Sequence, residues 1–455
     1  MSGPLRLLPG DGDSLPVIPR PRTRTRARPS WAEDPIDELA ERLVEQVAVA
    51  VHPYEVAALL ESDGLTGDQI TARYGRPDLF TLAEDLHARV PRHYPEPPPA
   101  PDPWRPDHLR CALRGLVFAL PGLAYVLGAG LWQGTADVSG LIASALAAWA
   151  WNQALSHRAY LRLAAGGKAA AGRTLRIGAP AGALGAAATG LVVSGPGMGA
   201  AFAAGQSCYL GAASVLLVLG RERVLLLTLL PVAAGAGAGA VQLWQLPAAL
   251  APVLLSATVM LAVVAAGHAI HAALRSAPEA AGITPKLLRS LPYGLFGLAA
   301  GVLAALAGAD EPRSVVVLTL SMGFAEWLLY RYRSLALTAL RESTSGRGFV
   351  LRAGRALAYC LSAYLAVLAL GSLIAGVRPA PLLGLGAVLW TALLLQAFSL
   401  AWLPAAVTLA AAATQASASL ASLPLGPAQL GCCTAAAAVL IAAACRLLGR
   451  PTAHR

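Results

Sequence analysis

From Cys111 to the C-terminus the chain is a succession of apolar stretches of bilayer-crossing length, joined by short connections whose charge is almost all arginine. A helix needs about 20 mostly apolar residues to cross the roughly 30 Å hydrocarbon layer. Inside that layer each segment has to satisfy its own backbone hydrogen bonds, which leaves the helix as the form for runs of this length. The sequence therefore predicts an all-α polytopic membrane protein of about 12 transmembrane helices. The spans are read at 111–132, 138–156, 178–194, 198–219, 224–243, 247–273, 289–308, 314–331, 356–377, 381–402, 405–422 and 428–448. Charged residues are 13% of the chain and mean hydropathy is +0.58, against about 25% charged in soluble domains.

Charge supports this count. With the N-terminus inside, the outward connections hold only Arg313 and Arg378 of the 35 basic residues. The inward ones hold Arg158–Arg176, Arg221 with Arg223, Arg275–Arg289, Arg331–Arg355 and the tail from Arg446. The positive-inside rule then places both termini in the cytoplasm. No secretory signal is read, because the first apolar run follows about a hundred polar residues. The Ala-, Gly- and Arg-rich, lysine-poor usage indicates a bacterial source, so the expected location is the inner membrane. The spans divide into two six-helix halves, 111–273 and 289–448, and the longest basic loop follows the second span of each, as an internal repeat would place it.

Five segments are read along the chain: 1–33, a Pro/Arg-rich tail expected to be disordered; 34–93, a small cytosolic helical domain; 94–110, a Pro-rich linker; 111–448, the membrane domain; and 449–455, a cytosolic tail. In the second segment Asp34-Pro35 opens a helix, and Thr66 with Gln69 has capping-box form. Its Gly turn resembles a helix-turn-helix, but Thr66–Tyr74 carries one arginine against Asp68, and DNA readers need a basic face. Nucleic acid is therefore not an expected partner. Membrane lipids are, and a cytosolic protein that docks on 34–93 is a further candidate.

The enzyme classes find no support. There is no Walker loop, G-x-S-x-G or dinucleotide fingerprint. The six cysteines lie in or beside apolar runs without metal-ligand spacing, and His268 and His271 lack further ligands. The reading therefore has no catalytic residue, cofactor or metal. Polar residues within spans usually face a cavity or a bundle interior. Glu326, Asn152, Gln206 and Gln396 are the candidates for a substrate path. Glu326 is the acidic residue among the spans, with Tyr330 at i+4 and Arg331 and Arg333 just beyond. Each amide could equally serve an interhelical hydrogen bond, and Glu326 either a structural pair or an inner gate. No arginine or lysine is counted inside a membrane cavity.

Two segments, WNQALSHRAYLRLAAGGKAAAGRTLR (Trp151–Arg176) and GQSCYLGAASVLLVLGRERVLLLTLLP (Gly205–Pro231), resemble the second-to-third and fourth-to-fifth helix passages of the multidrug/oligosaccharidyl-lipid/polysaccharide (MOP) exporter superfamily. The resemblance implies a flippase-like exporter working by alternating access on a saccharide or lipid-linked saccharide, with spans one, two, seven and eight along the central path. The absence of cavity bases departs from what pyrophosphate-linked cargo would imply. A major-facilitator transporter is an alternative, although its G-x-x-x-D-R-x-G-R-R loop is missing. A membrane scaffold that recruits partners through 34–93 is another.

Overall fold

The computed structural model describes residues 34–93, 102–132, 134–240, 249–277 and 286–454. The arginine-rich tail, most of the Pro-rich linker, the ends of the fifth and sixth predicted spans and much of Arg275–Arg289 lie outside these residues. Among the described residues there is no strand. The chain forms two compact units, divided at Pro101.

The first unit is a bundle of short helices: α1 (Pro35–Arg42), α2 (Val44–Ala48), α3 (Pro53–Ser62), α4 (Gly67–Gln69) and α5 (Leu79–Arg89). Proline opens α1 and α3, where its missing N–H costs nothing. Asp34 caps α1, and the Thr66–Gln69 capping box starts α4. Ile36, Leu39, Leu60, Leu82 and Leu86 close a small core, each at most 2% exposed.

The second unit begins with α6 (His108–Ala119) and α7 (Gly122–Leu127), broken at Pro121, which cannot continue the hydrogen-bond ladder. It continues with α8 (Thr135–Ser194), α9 (Met198–Val218), α10 (Glu222–Thr228), α11 (Leu230–Ala240) and α12 (Leu250–Leu274). The second half comprises α13 (Leu291–Asp310), α14 (Pro312–Glu342), α15 (Gly346–Ala375), α16 (Pro379–Ala397), α17 (Trp402–Leu420) and α18 (Leu425–Leu448). Among the described residues, 9 helical segments are long and apolar enough to cross a membrane, and the chain is a multi-pass, all-α membrane protein. The count of nine is lower than twelve for identifiable reasons. The 60-residue α8 carries two predicted spans. The fifth predicted span falls on the broken pair α10 and α11, and the eighth on α14, whose apolar run contains Glu326.

The basic segments Arg158–Arg176 and Arg331–Arg355, read as loops, are mostly helix. Their Ala, Leu and Arg content favours helix, and each is interrupted at a single point. In α8 this is Gly166–Gly167, where Gly167 takes φ 66° and ψ −169°, a conformation open essentially to glycine alone. The two legs of α8 return antiparallel: Gly140 lies against Ser194, Ser144 against Gly190, Trp151 against Gly182 and Leu155 against Gly178. The turn between α14 and α15 makes the same construction, with Val317 against Gly371 and Ser321 beside Tyr364. Each leg of α8 has about 30 residues, or about 45 Å, longer than the hydrocarbon layer, so both hairpins project beyond it on the side that carries their arginines.

Each half has its own apolar core. Leu155, Leu175, Leu216 and Leu225 anchor one, and Leu303, Leu328, Trp390, Leu395 and Leu440 the other. Among the described residues the halves join chiefly where α6 packs on α14 and where α8 packs on α13 and the turn before it. At the non-basic end, the two arginines that break the charge rule are both engaged. Arg313 donates to the Ala375 carbonyl, and Arg378 pairs with Asp310 and Glu311.

Candidate functional site

Asp107 caps α6 by accepting from the Arg110 N–H at 3.0 Å, and the helix that follows puts Arg110 and Arg114 on one face. Cys111 and Gly115 occupy the adjoining strip. On α14, Gly323, Glu326 and Trp327 share a face at i, i+3 and i+4. The two helices meet backbone to backbone. A Cβ on Gly323 would stand 2.8 Å from the Gly115 Cα and 3.0 Å from the Cys111 carbonyl oxygen. This closeness brings Arg114 onto Glu326, a pair in which the side chains are only 15% and 18% exposed.

Arg114 serves both halves. Its Nη1 donates to Glu326, while Nε and Nη2 donate to Glu222 Oε1 at 3.2 and 3.0 Å. Glu222 lies in the first turn of α10, where the helix dipole favours a carboxylate, and it also accepts from Arg110 at 3.2 and 3.1 Å. The result is a continuous chain, Arg110–Glu222–Arg114–Glu326. Beside it Trp327 Nε1 donates to His108 Nδ1 at 3.0 Å. Trp104 lies 3.9 Å over the Arg333 guanidinium, and Arg333 donates to the Ala397 carbonyl. At the other joint His157 stacks on Tyr293 at 3.7 Å and meets the Ser290 hydroxyl at 3.0 Å. Gly294 and Gly297 of α13 lie against Ala150 and Gln153 of α8. These contacts are at the basic end of the helices, so the halves are closed on each other there.

The four sequence-predicted path residues do not converge. Glu326 is at the α6–α14 joint. Asn152 is half-buried on α8, next to the Gln153 that packs on α13. Gln206 belongs to the first half alone: its amide donates to the Leu141 carbonyl and Ser144 Oγ, and its oxygen accepts from Tyr125 at 2.6 Å. There it borders an apolar cleft of about 470 Å³, which the Tyr209 side chain also lines. The Tyr209 hydroxyl is buried with no partner among the described residues. Gln396 sits within the second half, with its Nε2 buried and without a described partner. An amide pair, Gln415 and Gln429, ties α17 to α18, and Gln429 donates to the Pro381 carbonyl.

One basic side chain, Arg114, does lie within the first predicted span, paired with Glu326 rather than lining the apolar cleft. Its position three residues into the first predicted span made it read as flanking charge. The available signal was the lone carboxylate, since an intramembrane Glu requires a cation partner, and Arg114 repeats Arg110 at i+4. Among the described residues no cluster of three His, Cys, Asp or Glu side chains could hold a metal.

No protein-family profile matches the chain, and no curated protein matches it. Among solved structures it is similar to the inward-facing conformation of a multidrug resistance MATE family transporter of the MOP superfamily. That likeness is at 14% identity and TM-score 0.37, over 76% of this chain and 95% of that one.

Proposed function

We propose that the protein is an alternating-access exporter of the bacterial inner membrane, with both termini cytoplasmic and with the Arg114–Glu326 pair as its inner gate. The observation that carries this reading is the position of that pair. It is a shielded ion pair between two halves that otherwise have separate cores, at the end where the basic residues gather. An ion pair costs desolvation that a purely structural contact could avoid by using apolar side chains. It suits a joint that must open, because each partner can be rehydrated when the halves part. Arg110 and Glu222 keep α6 attached to the first half while Arg114 lets go of the second. The finer reading, a saccharide or lipid-linked saccharide as cargo, draws its support from the Tyr125–Gln206 pair beside a mostly apolar cleft that Ser256 and Thr258 also line.

The test is thiol accessibility in a chain whose six cysteines are replaced and which carries Asn152→Cys. A membrane-impermeant thiol reagent is added to inside-out or right-side-out vesicles. Glu326→Gln is expected to raise labelling from the cytoplasmic side and lower it from the other, with membrane abundance unchanged. Labelling that is the same in both backgrounds defeats the gate and favours a membrane scaffold that recruits partners through residues 34–93.

A further inference from the structure

A second cleft, of about 440 Å³, lies in the first half between α10 and α12, and no member of the ion chain lines it. Its walls are α10 with the preceding Arg221, α12, which runs the opposite way, and Leu216 of α9. Away from the basic end the lining runs Arg221, Val224, Leu227 along α10 and His268, Val264 with Ala265, then Leu261 along α12. Apart from the Thr228 hydroxyl, which donates to the Leu225 carbonyl, polarity falls along both walls from Arg221 and His268 at the rim to aliphatic side chains. Leu227, Leu261 and Val264 are 60%, 47% and 61% exposed, and at membrane depth the medium they meet is lipid hydrocarbon. The rim lies where headgroups lie: Arg221 directly follows the α9–α10 turn, and His268 is under two turns from the end of α12 at Leu274.

No carboxylate lines the cleft. The neighbouring Glu222 is held by Arg110 and Arg114, so it does not neutralise Arg221. Arg221 itself has no ion-pair partner among the described residues. A guanidinium fork at headgroup depth above an aliphatic slot matches a phosphate joined to an acyl chain. We infer that this cleft holds one anionic glycerophospholipid, its phosphate on Arg221 and His268 and an acyl chain along Leu227, Leu261 and Val264. The inference rests on the multi-pass reading of the helices and is independent of the proposed gate.

Native mass spectrometry of the full chain in detergent tests it, with titration of dioleoylphosphatidylglycerol and, in parallel, dioleoylphosphatidylcholine. One phosphatidylglycerol adduct is expected to persist at concentrations where phosphatidylcholine has dissociated. Arg221→Gln should weaken that adduct about fivefold, and Val264→Trp, which fills the slot, should remove it. Arg223→Gln, on the same helix but not lining the cleft, should leave it intact. Arg221 is exposed, so its substitution tests the rim even if Val264→Trp fails to give a monodisperse protein. Equal retention of the two lipids, or no change in Arg221→Gln, overturns the inference. Displacement of the adduct by excess inorganic phosphate, to the extent seen in Arg221→Gln, overturns it in favour of a free-anion site.

Discussion

Removing Arg114 should cost far more than removing Glu326, although the two form one pair. Arg114 is the one cation the structure brings onto Glu326 among the described residues, so Arg114→Gln strands a shielded carboxylate. Stranding a buried charge costs about 3–5 kcal/mol. Because roughly a sixth of each side chain remains open, about 3 kcal/mol is the fitting value within that range. Glu326→Gln leaves Arg114 still bound to Glu222 through Nε and Nη2, so its loss is one hydrogen bond, about 1 kcal/mol. Arg110 is 51% exposed and duplicates the Glu222 contact, and Arg110→Gln should be nearly silent. Unfolding of the purified chain in dodecyl sulfate, followed by tryptophan fluorescence, gives these differences. The double variant Arg114→Met/Glu326→Met should recover most of the Arg114→Gln loss, since replacing both charges leaves neither stranded. Equal losses in the two single variants, or losses that add in the double, would show that the side chains do not act as a pair.

Further outcomes follow from other contacts. Gly323→Ala should cost about 1–3 kcal/mol in the same unfolding assay, because its Cβ would meet backbone rather than a movable side chain. Gly431→Ala, which faces open space, should be neutral or better. At the non-basic end Arg378 donates to Glu311 at 2.8 Å through its side chain and at 3.1 Å through its backbone N–H, and this holds the Glu311 carboxyl below its ordinary range. A lowered folded value means that the contribution is complete above the unfolded pKa, about 4.3. It is lost as pH falls through the folded value. Arg378→Gln should therefore flatten the acid limb of a melting-temperature-against-pH profile and leave its shape at neutral pH unchanged. In the helical unit Leu60 is 0% exposed, so Leu60→Ala should destabilise a 34–93 fragment in urea by about 2–5 kcal/mol.

The membrane class was legible because it rests on quantities that add along the chain: run length, charge density and the side on which arginines fall. The hairpins were legible only as places. Arg158–Arg176 and Arg331–Arg355 stood out as the basic connections, but span windows end where charge begins, whereas helix propensity does not. Only Gly166–Gly167 marked the turn. Arg114 was hidden by the same habit of treating arginine near a span boundary as flank. The amides show a different limit. Gln206 and Gln396 satisfy any rule that places polar residues inward, yet inward meant the interior of one half. A single sequence states that a side chain needs a partner without stating which helix supplies it. The packing that decided this, Gly115 on Gly323, depends on a missing Cβ at two positions more than two hundred residues apart.

The antiparallel hairpins also constrain how the halves can move. On the two legs of α8, Arg158 stands level with Arg176 and Arg162 level with Arg173. On α14 and α15, continuing the register that sets Val317 against Gly371 and Ser321 beside Tyr364 puts Arg331 near the level of Arg355, Arg333 near Arg352 and Arg341 near Arg347. Each hairpin thus carries a ladder of arginine rungs toward its turn. Pushing a hairpin deeper along the membrane normal would submerge a whole rung, two guanidiniums at about 2.5–3.5 kcal/mol each near the centre. Tilting it about that rung submerges neither. The rungs thus put a cost on sliding a hairpin into the bilayer that tilting it does not carry.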